Sequence, residues 1–103
     1  MAQFDVYRND NALSRDAFPY MLDLQSDMLA ALLTRVIAPL EPLTADPPMR
    51  RLNPIFTIEG RSVVMVTADL TSVRREQLRE RVVSLESHRY NIIAAIDILW
   101  SGV

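Results

Sequence analysis

Apolar positions recur at two different periods along this chain, and the switch between them predicts a sheet followed by a helix. Phe4 and Val6 alternate with Asp5 and Tyr7, as in a strand with one buried face. Residues 8–15 are polar and rich in Asn and Asp, which favours a solvated loop. A second strand follows over Tyr20 to Gln25, with Tyr20, Leu22 and Leu24 on one face and Met21, Asp23 and Gln25 on the other. Met28 to Leu33 is helical by propensity, with Asp27 as its N-cap. Val36 and Ile37 predict a short strand closed by Pro39, and the prolines at 42, 47, 48 and 54 argue against regular structure from Leu40 to Pro54. Ile55 to Ile58 and Ser62 to Thr67, joined by Glu59-Gly60-Arg61, predict a hairpin.

The stretch from Val73 to Val83 fits either an Arg/Glu-laced helix face or a solvated edge strand. From Leu85 to Val103 the pattern is helical. Leu85, Ile92, Ile96, Leu99 and Val103 share one side, joined by Ile93 and Trp100, with Ser84 or Ser87 as N-cap and Gly102 as the stop.

Composition narrows the chemistry. The chain has 103 residues, half of them apolar, and a formal charge of −2, which predicts a single domain over 1–103. Cysteine is absent and His88 is the lone histidine, so disulfides, thiolate nucleophiles and a multi-histidine metal site are excluded within one subunit. With Gly60 and Gly102 the sole glycines, no phosphate-cradling loop is available and no cofactor is expected. Two acid/base pairs are conceivable, Asp23 with Asp27 and Asp69 with His88, but solvated or turn-capping roles suit these side chains better, and no catalytic residue is assigned. All eleven basic residues are arginine and the acidic ones outnumber them, so direct nucleic-acid binding is not expected. No stretch is long enough to span a bilayer and no signal pattern opens the chain, which predicts a cytoplasmic protein. Trp100 lies close to the end of the chain, where it is either one more core residue, the favoured reading, or an anchor for a partner.

Taken together, the segments Gln3 to Tyr7, Tyr20 to Asp27, Arg35 to Leu40, Pro54 to Ile58, Met65 to Val73 and Ile92 to Asp97, with the Gly102-Val103 end, resemble the CcdB family of toxins from bacterial toxin–antitoxin modules. The Leu-Asp-Leu-Gln-Ser-Asp block at 22–27 is the most specific of them. The resemblance implies an α+β fold, with an antiparallel SH3-like curved sheet, a small satellite sheet and a C-terminal helix, assembled as a homodimer. It replaces the helix at Met28 to Leu33 with strand and turn. It also implies strand or irregular structure over Val73 to Val83, although Arg74, where the familiar member has proline, permits a local helix.

The function so implied is poisoning rather than catalysis. The family's dimer binds the DNA gyrase A subunit, traps gyrase on cleaved DNA, and is neutralised by a cognate antitoxin. Carried over by position, the gyrase contacts are the apolar pair Met28 and Leu29, Asp97 on the last helix, and the end patch Trp100, Ser101, Gly102 and Val103. Two departures stand out: Asp97 replaces an asparagine, and Ser101 holds the position of the family's tryptophan while Trp100 precedes it. A one-residue shift turns a helical side chain by about 100°. Arg8, Arg15 and Arg89 are the expected ion-pair partners of an acidic antitoxin segment. A non-toxic homologue that binds only an antitoxin-like repressor is the alternative, and an enzyme using Asp69 and His88 ranks third.

Overall fold

A computed structural model describes residues 1–47 and 49–102; Val103, assigned above to the gyrase-binding patch and to the apolar side of the last helix, and Pro48 lie outside the described residues. The described residues form seven antiparallel strands and one α-helix, as expected for an α+β fold: β1 (Asp5–Arg8), β2 (Tyr20–Asp23), β3 (Thr34–Pro42), β4 (Ile55–Ile58), β5 (Arg61–Met65), β6 (Thr71–Arg74), β7 (Arg81–Ser84) and α1 (Arg89–Ser101). The sheet curls into a half-barrel in the order β4-β5-β3-β2-β1-β7, with β6 also paired to β3.

β3 organises this arrangement. One of its edges pairs with β2, and the other is shared by β5 at Leu40–Pro42 and by β6 at Thr34–Ile37. The expected smaller sheet is therefore the β4–β5 hairpin hanging from one half of β3, continuous with the main sheet. The strand also runs straight through Pro39 and Pro42, which the sequence pattern placed at a strand end and in an irregular stretch. Geometry explains the tolerance. The Leu24 N–H bonds Val36 O, so on the β2 side the bonded pairs are 24/36, 22/38 and 20/40, and Pro39 falls at a non-bonded position opposite Met21. Its nitrogen faces the other edge, where the β5 ladder begins at Leu40, and its carbonyl there accepts the Val66 N–H. Pro42 is likewise a non-bonded partner of Val63, and β2 has already ended beside it.

Opposite Pro39, the run from β5 to β6 breaks into a 3-10 turn at Thr67–Asp69 that packs against α1. The β4–β5 hairpin closes as expected, with Glu59 and Gly60 at φ 52° and 77°, the paired left-handed residues of a tight turn matched to strand twist. Residues 73–83 resolve into the end of β6, a 3-10 turn at Arg75–Gln77 and β7, so the local helix that Arg74 permits is a single turn. Met28 to Leu33 is neither α-helix nor strand. Asp27–Leu29 forms a 3-10 turn, capped by Ser26 rather than Asp27, and the chain then turns into β3. The α-helix begins at Arg89, with a 3-10 turn at Glu86–His88 before it; Ser84 Oγ accepts the Glu86 N–H of that turn, and the N-cap residue of α1 itself, His88, makes no side-chain cap.

Both faces of the sheet are covered, which is why all of β2 is buried. On one face Val6, Leu22, Leu40, Met65 and Ile58 pack against Ile92 and Ala95 of α1. The helix buries a narrower stripe than its sequence pattern suggests: Ile96 and Leu99 are half-buried, and Ile93 is exposed. The other face carries Tyr7, Met21, Ile37 and Leu78, with Phe18 and Val73 at the margin. Alternation along the strands places Asp23 and Arg35 on this second face, where both are fully buried. Arg35 Nη2 and Nε donate to Asp23 Oδ2 at 2.6 and 3.0 Å. Burial pushes the Asp23 carboxyl up, while the guanidinium and the Gln25 N–H draw it down.

Arg35→Leu strands the Asp23 carboxylate inside the protein and is expected to lower unfolding free energy by about 3–5 kcal/mol. Combining it with Asp23→Leu should recover much of that loss. Urea midpoints for the two singles and the double check this; losses that simply add would show that the pair is not coupled.

Candidate functional site

The block at 22–27 builds the base of an exposed loop. Gln25 Nε2 donates to the carbonyls of Leu29 and Thr34, and its Oε1 accepts the Val36 N–H. Ser26 Oγ accepts the Met28 N–H, and Asp27 Oδ1 accepts the Gln3 N–H at 2.8 Å. Polar side chains therefore hold the turn, and its apolar residues are left outside. Met28 is 93% exposed, and Leu29, Leu32 and Leu33 are exposed as well.

Trp100, on the last turn of α1, is 68% exposed. The favoured reading of Trp100 as core is thus corrected: the helix turns its Ile92/Ala95 stripe to the sheet and leaves Trp100 at the rim. The rim position has a consequence. Leu29 and Trp100 line one groove of about 290 Å³, together with Leu24, Val36, Leu70 and Ile96. Two segments widely separated in sequence thereby meet around one apolar depression. Ungrouped apolar exposure is ordinary on a protein surface, but an apolar groove flanked by an exposed tryptophan is the shape that partner proteins fill.

The remaining predicted site residues divide. Asp97 is exposed on α1, and Ser101 Oγ donates back to its carbonyl at 2.8 Å. Gly102 adopts φ 78° and its N–H bonds Ile98 O, which ends the helix as expected. It lines a different cleft, beside Arg50 and Arg51, so the end patch is split between two sides of the helix. Of the three arginines, Arg8 bridges Glu59 at 2.9 Å and Glu80 at 3.0 Å, and Arg89 pairs with Glu86 at 2.7 Å. Arg15 is exposed and makes no ion pair among the described residues.

Neither acid/base pair is assembled. Asp23 belongs to Arg35 and Asp27 to the Gln3 backbone. Asp69 and His88 are both exposed and share no hydrogen bond, and His88 packs edge-on against Phe56 with ring centroids 5.3 Å apart. No cluster of metal-ligating side chains occurs among the described residues. No helix there is long and apolar enough to cross a membrane. Sequence reasoning missed Arg35 altogether and gave Gln25 no role. Strand alternation shows that Asp23 shares a face with Met21 but not that a second layer buries that face, so it gave no signal of a basic partner.

A sequence profile of the family described as CcdB protein matches residues 3–102. The chain belongs to the CcdB family. No curated protein matches it. CcdB proteins are toxins of toxin–antitoxin modules, and the Leu-Asp-Leu-Gln-Ser-Asp block that carried the resemblance is here the hydrogen-bonded base of the 26–33 loop. In this CcdB fold, the second interaction that fixes the strands is a network at the hairpin tip: Tyr20 OH donates to Glu59 Oε1 at 2.7 Å, and Arg8 donates to Glu59 Oε2. These hydrogen bonds hold the Glu59 carboxyl below its usual range, Arg8 contributing first and Tyr20 next.

Trp100→Ala is expected to change stability by less than about 1 kcal/mol, against about 2–5 kcal/mol for Ile92→Ala in the core, as read from denaturation midpoints. The Glu59 pKa is depressed on folding, so its contribution is present above the unfolded carboxylate range and is lost as pH falls through the folded value. The difference in Tm between the native chain and Glu59→Gln should therefore be present at neutral pH and close as the pH falls below the ordinary carboxylate range. A difference that stays constant down to acid pH would remove this role for the carboxylate.

Proposed function

We propose that this chain is the toxin of a type II toxin–antitoxin module that binds the DNA gyrase A subunit and traps gyrase on cleaved DNA. The observation that supports it most is the apolar groove shared by Leu29 and Trp100, set in a chain of the CcdB family. The reading needs no catalytic residue. A wedge that binds an intermediate of a DNA-cleaving enzyme shifts that enzyme's equilibrium by its differential affinity for the cleaved state. Exposed apolar side chains held on a hydrogen-bonded loop and a helix end suit that task, because little ordering remains to be done on binding. Met28, Leu29, Asp97, Trp100, Ser101, Gly102 and Val103 form the gyrase-facing set.

We place the protein in the cytoplasm as a homodimer, without cofactor. Two-fold pairing would let each copy present one groove to one arm of a symmetric target. A cognate antitoxin with acidic character would neutralise it through Arg8, Arg15 and Arg89. Arg15 is free to pair at once, whereas Arg8 and Arg89 would exchange an internal carboxylate for an external one.

A second reading is favoured by one feature. Asp97 and Ser101 place a charge and a hydroxyl where the familiar toxin has an amide and a tryptophan, which suits a homologue that binds only an antitoxin-like repressor and no longer poisons gyrase.

The test is calorimetric titration of the chain with the dimerisation segment of the gyrase A subunit. Leu29→Asp and Trp100→Ala should each weaken binding at least about tenfold with Tm unchanged. A native chain that fails to bind this segment while binding the antitoxin encoded beside it would establish the second reading. Sedimentation of a monomer at micromolar concentration would remove the homodimer.

A further inference from the structure

The fold sorts the five methionines of the chain sharply by exposure. Met21 and Met65 are buried in the two cores, whereas Met28 is 93% exposed, Met49 66% and Met1 50%. Oxidation of a thioether to the sulfoxide requires that the oxidant reach the sulfur. The two core methionines are shielded from it.

Met28 differs from the other exposed methionines in what its side chain adjoins and in what it leaves untouched. Its 3-10 turn buries none of its residues. The bonds that shape the turn run through backbone and polar side chains: Ser26 Oγ accepts the Met28 N–H, Ser26 O accepts the Leu29 N–H, Asp27 O accepts the Ala30 N–H, and Gln25 Nε2 donates to Leu29 O. None of them involves the Met28 thioether, so an oxygen added to its sulfur leaves the contacts of the fold in place. The next residue, Leu29, lines the groove with Trp100. Met49 instead lines the separate cleft beside Ile98 and Gly102.

From this we infer that Met28 is a redox modification site, at which peroxide converts the thioether to the sulfoxide and loosens the hold on the target while the protein stays folded. The inference rests on the gyrase reading above. In the forward step the O–O bond of the peroxide breaks, one oxygen passes to sulfur, which gives up two electrons, and the other leaves as water. An apolar, flexible side-chain end thereby becomes a strong dipole, which has to shed its water on entering an apolar contact. The reverse step consumes two thiols, which become a disulfide as the sulfoxide oxygen departs as water, and enzymes specific for each sulfoxide epimer catalyse it. Peroxide thus releases the target, and thiol-driven repair restores the hold.

The experiment treats the full-length chain with hydrogen peroxide and follows three quantities: peptide masses, Tm, and affinity for the dimerisation segment of the gyrase A subunit. Masses should rise by one oxygen at Met28, Met49 and Met1 and stay unchanged at Met21 and Met65. Affinity should fall at least about tenfold with Tm unchanged, and the two methionine sulfoxide reductases with dithiothreitol should restore it. A Met49→Leu chain should lose and regain affinity as the native chain does, whereas Met28→Leu should have the same affinity before and after peroxide, whatever its starting value. Undiminished affinity with Met28 oxidised, a Met28→Leu chain still weakened by peroxide, or a fall in Tm parallel to the loss of affinity would each overturn the switch and leave the gyrase reading standing. An untreated native chain that does not bind the segment would overturn that reading and the switch with it.

Discussion

A carboxylate and a guanidinium sealed inside a small sheet constrain almost everything around them. Asp23 and Arg35 are fully buried and bonded at 2.6 Å, so neither can turn outward, and the second face of the sheet must close over them. A buried pair of this kind is a poor source of net stability, since desolvation offsets most of the attraction. Its effect is on specificity. A register slip of one residue between β2 and β3 would send one charge to the opposite face without the other. Asp5, which bonds Arg81 at 3.0 Å, extends the same polar layer to β1 and β7. Burial and the nearby Asp5 and Asp23 carboxylates together raise the Tyr7 hydroxyl's pKa, as expected for a phenol facing that layer.

From this layer the chain passes directly to Gln25, whose amide satisfies three backbone groups of the loop that follows. The loop is thereby fixed by polar contacts at its base. Meanwhile β3 uses its two prolines to divide its outer edge between β5 and β6, and the turn at Thr67–Asp69 fills the gap and meets the helix. Leu70, just beyond that turn, lines the groove with Trp100. The apolar groove thus takes part of its lining from the turn that interrupts this edge.

Much of this was legible in the chain. Alternation located β1, β2 and the β4–β5 hairpin, and Gly60 and Gly102 marked a turn and a helix end because both take left-handed backbone, which glycine adopts without strain. β3 was not legible in full, since proline is disallowed only where its nitrogen faces a partner strand, and sequence does not reveal which residues face one. The burial of Asp23 was missed for a related reason: a two-residue period shows which residues share a face, but not whether a second layer covers that face. Trp100 was read as core because the helical stripe was drawn too wide. Leu29 came from positional resemblance and Trp100 from its place near the chain end as well, and only the fold brought them to one groove.

The 3-10 turn at Asp27–Leu29 buries none of its residues, and the exposed leucines that follow it add little to the core. Selection for folding therefore hardly constrains those side chains. Mutations there can reshape the exposed apolar surface without first lowering the amount of folded protein in the cell. Such a loop is well suited to follow a partner whose own surface drifts over generations, while the hydrogen-bonded residues beneath it stay the same.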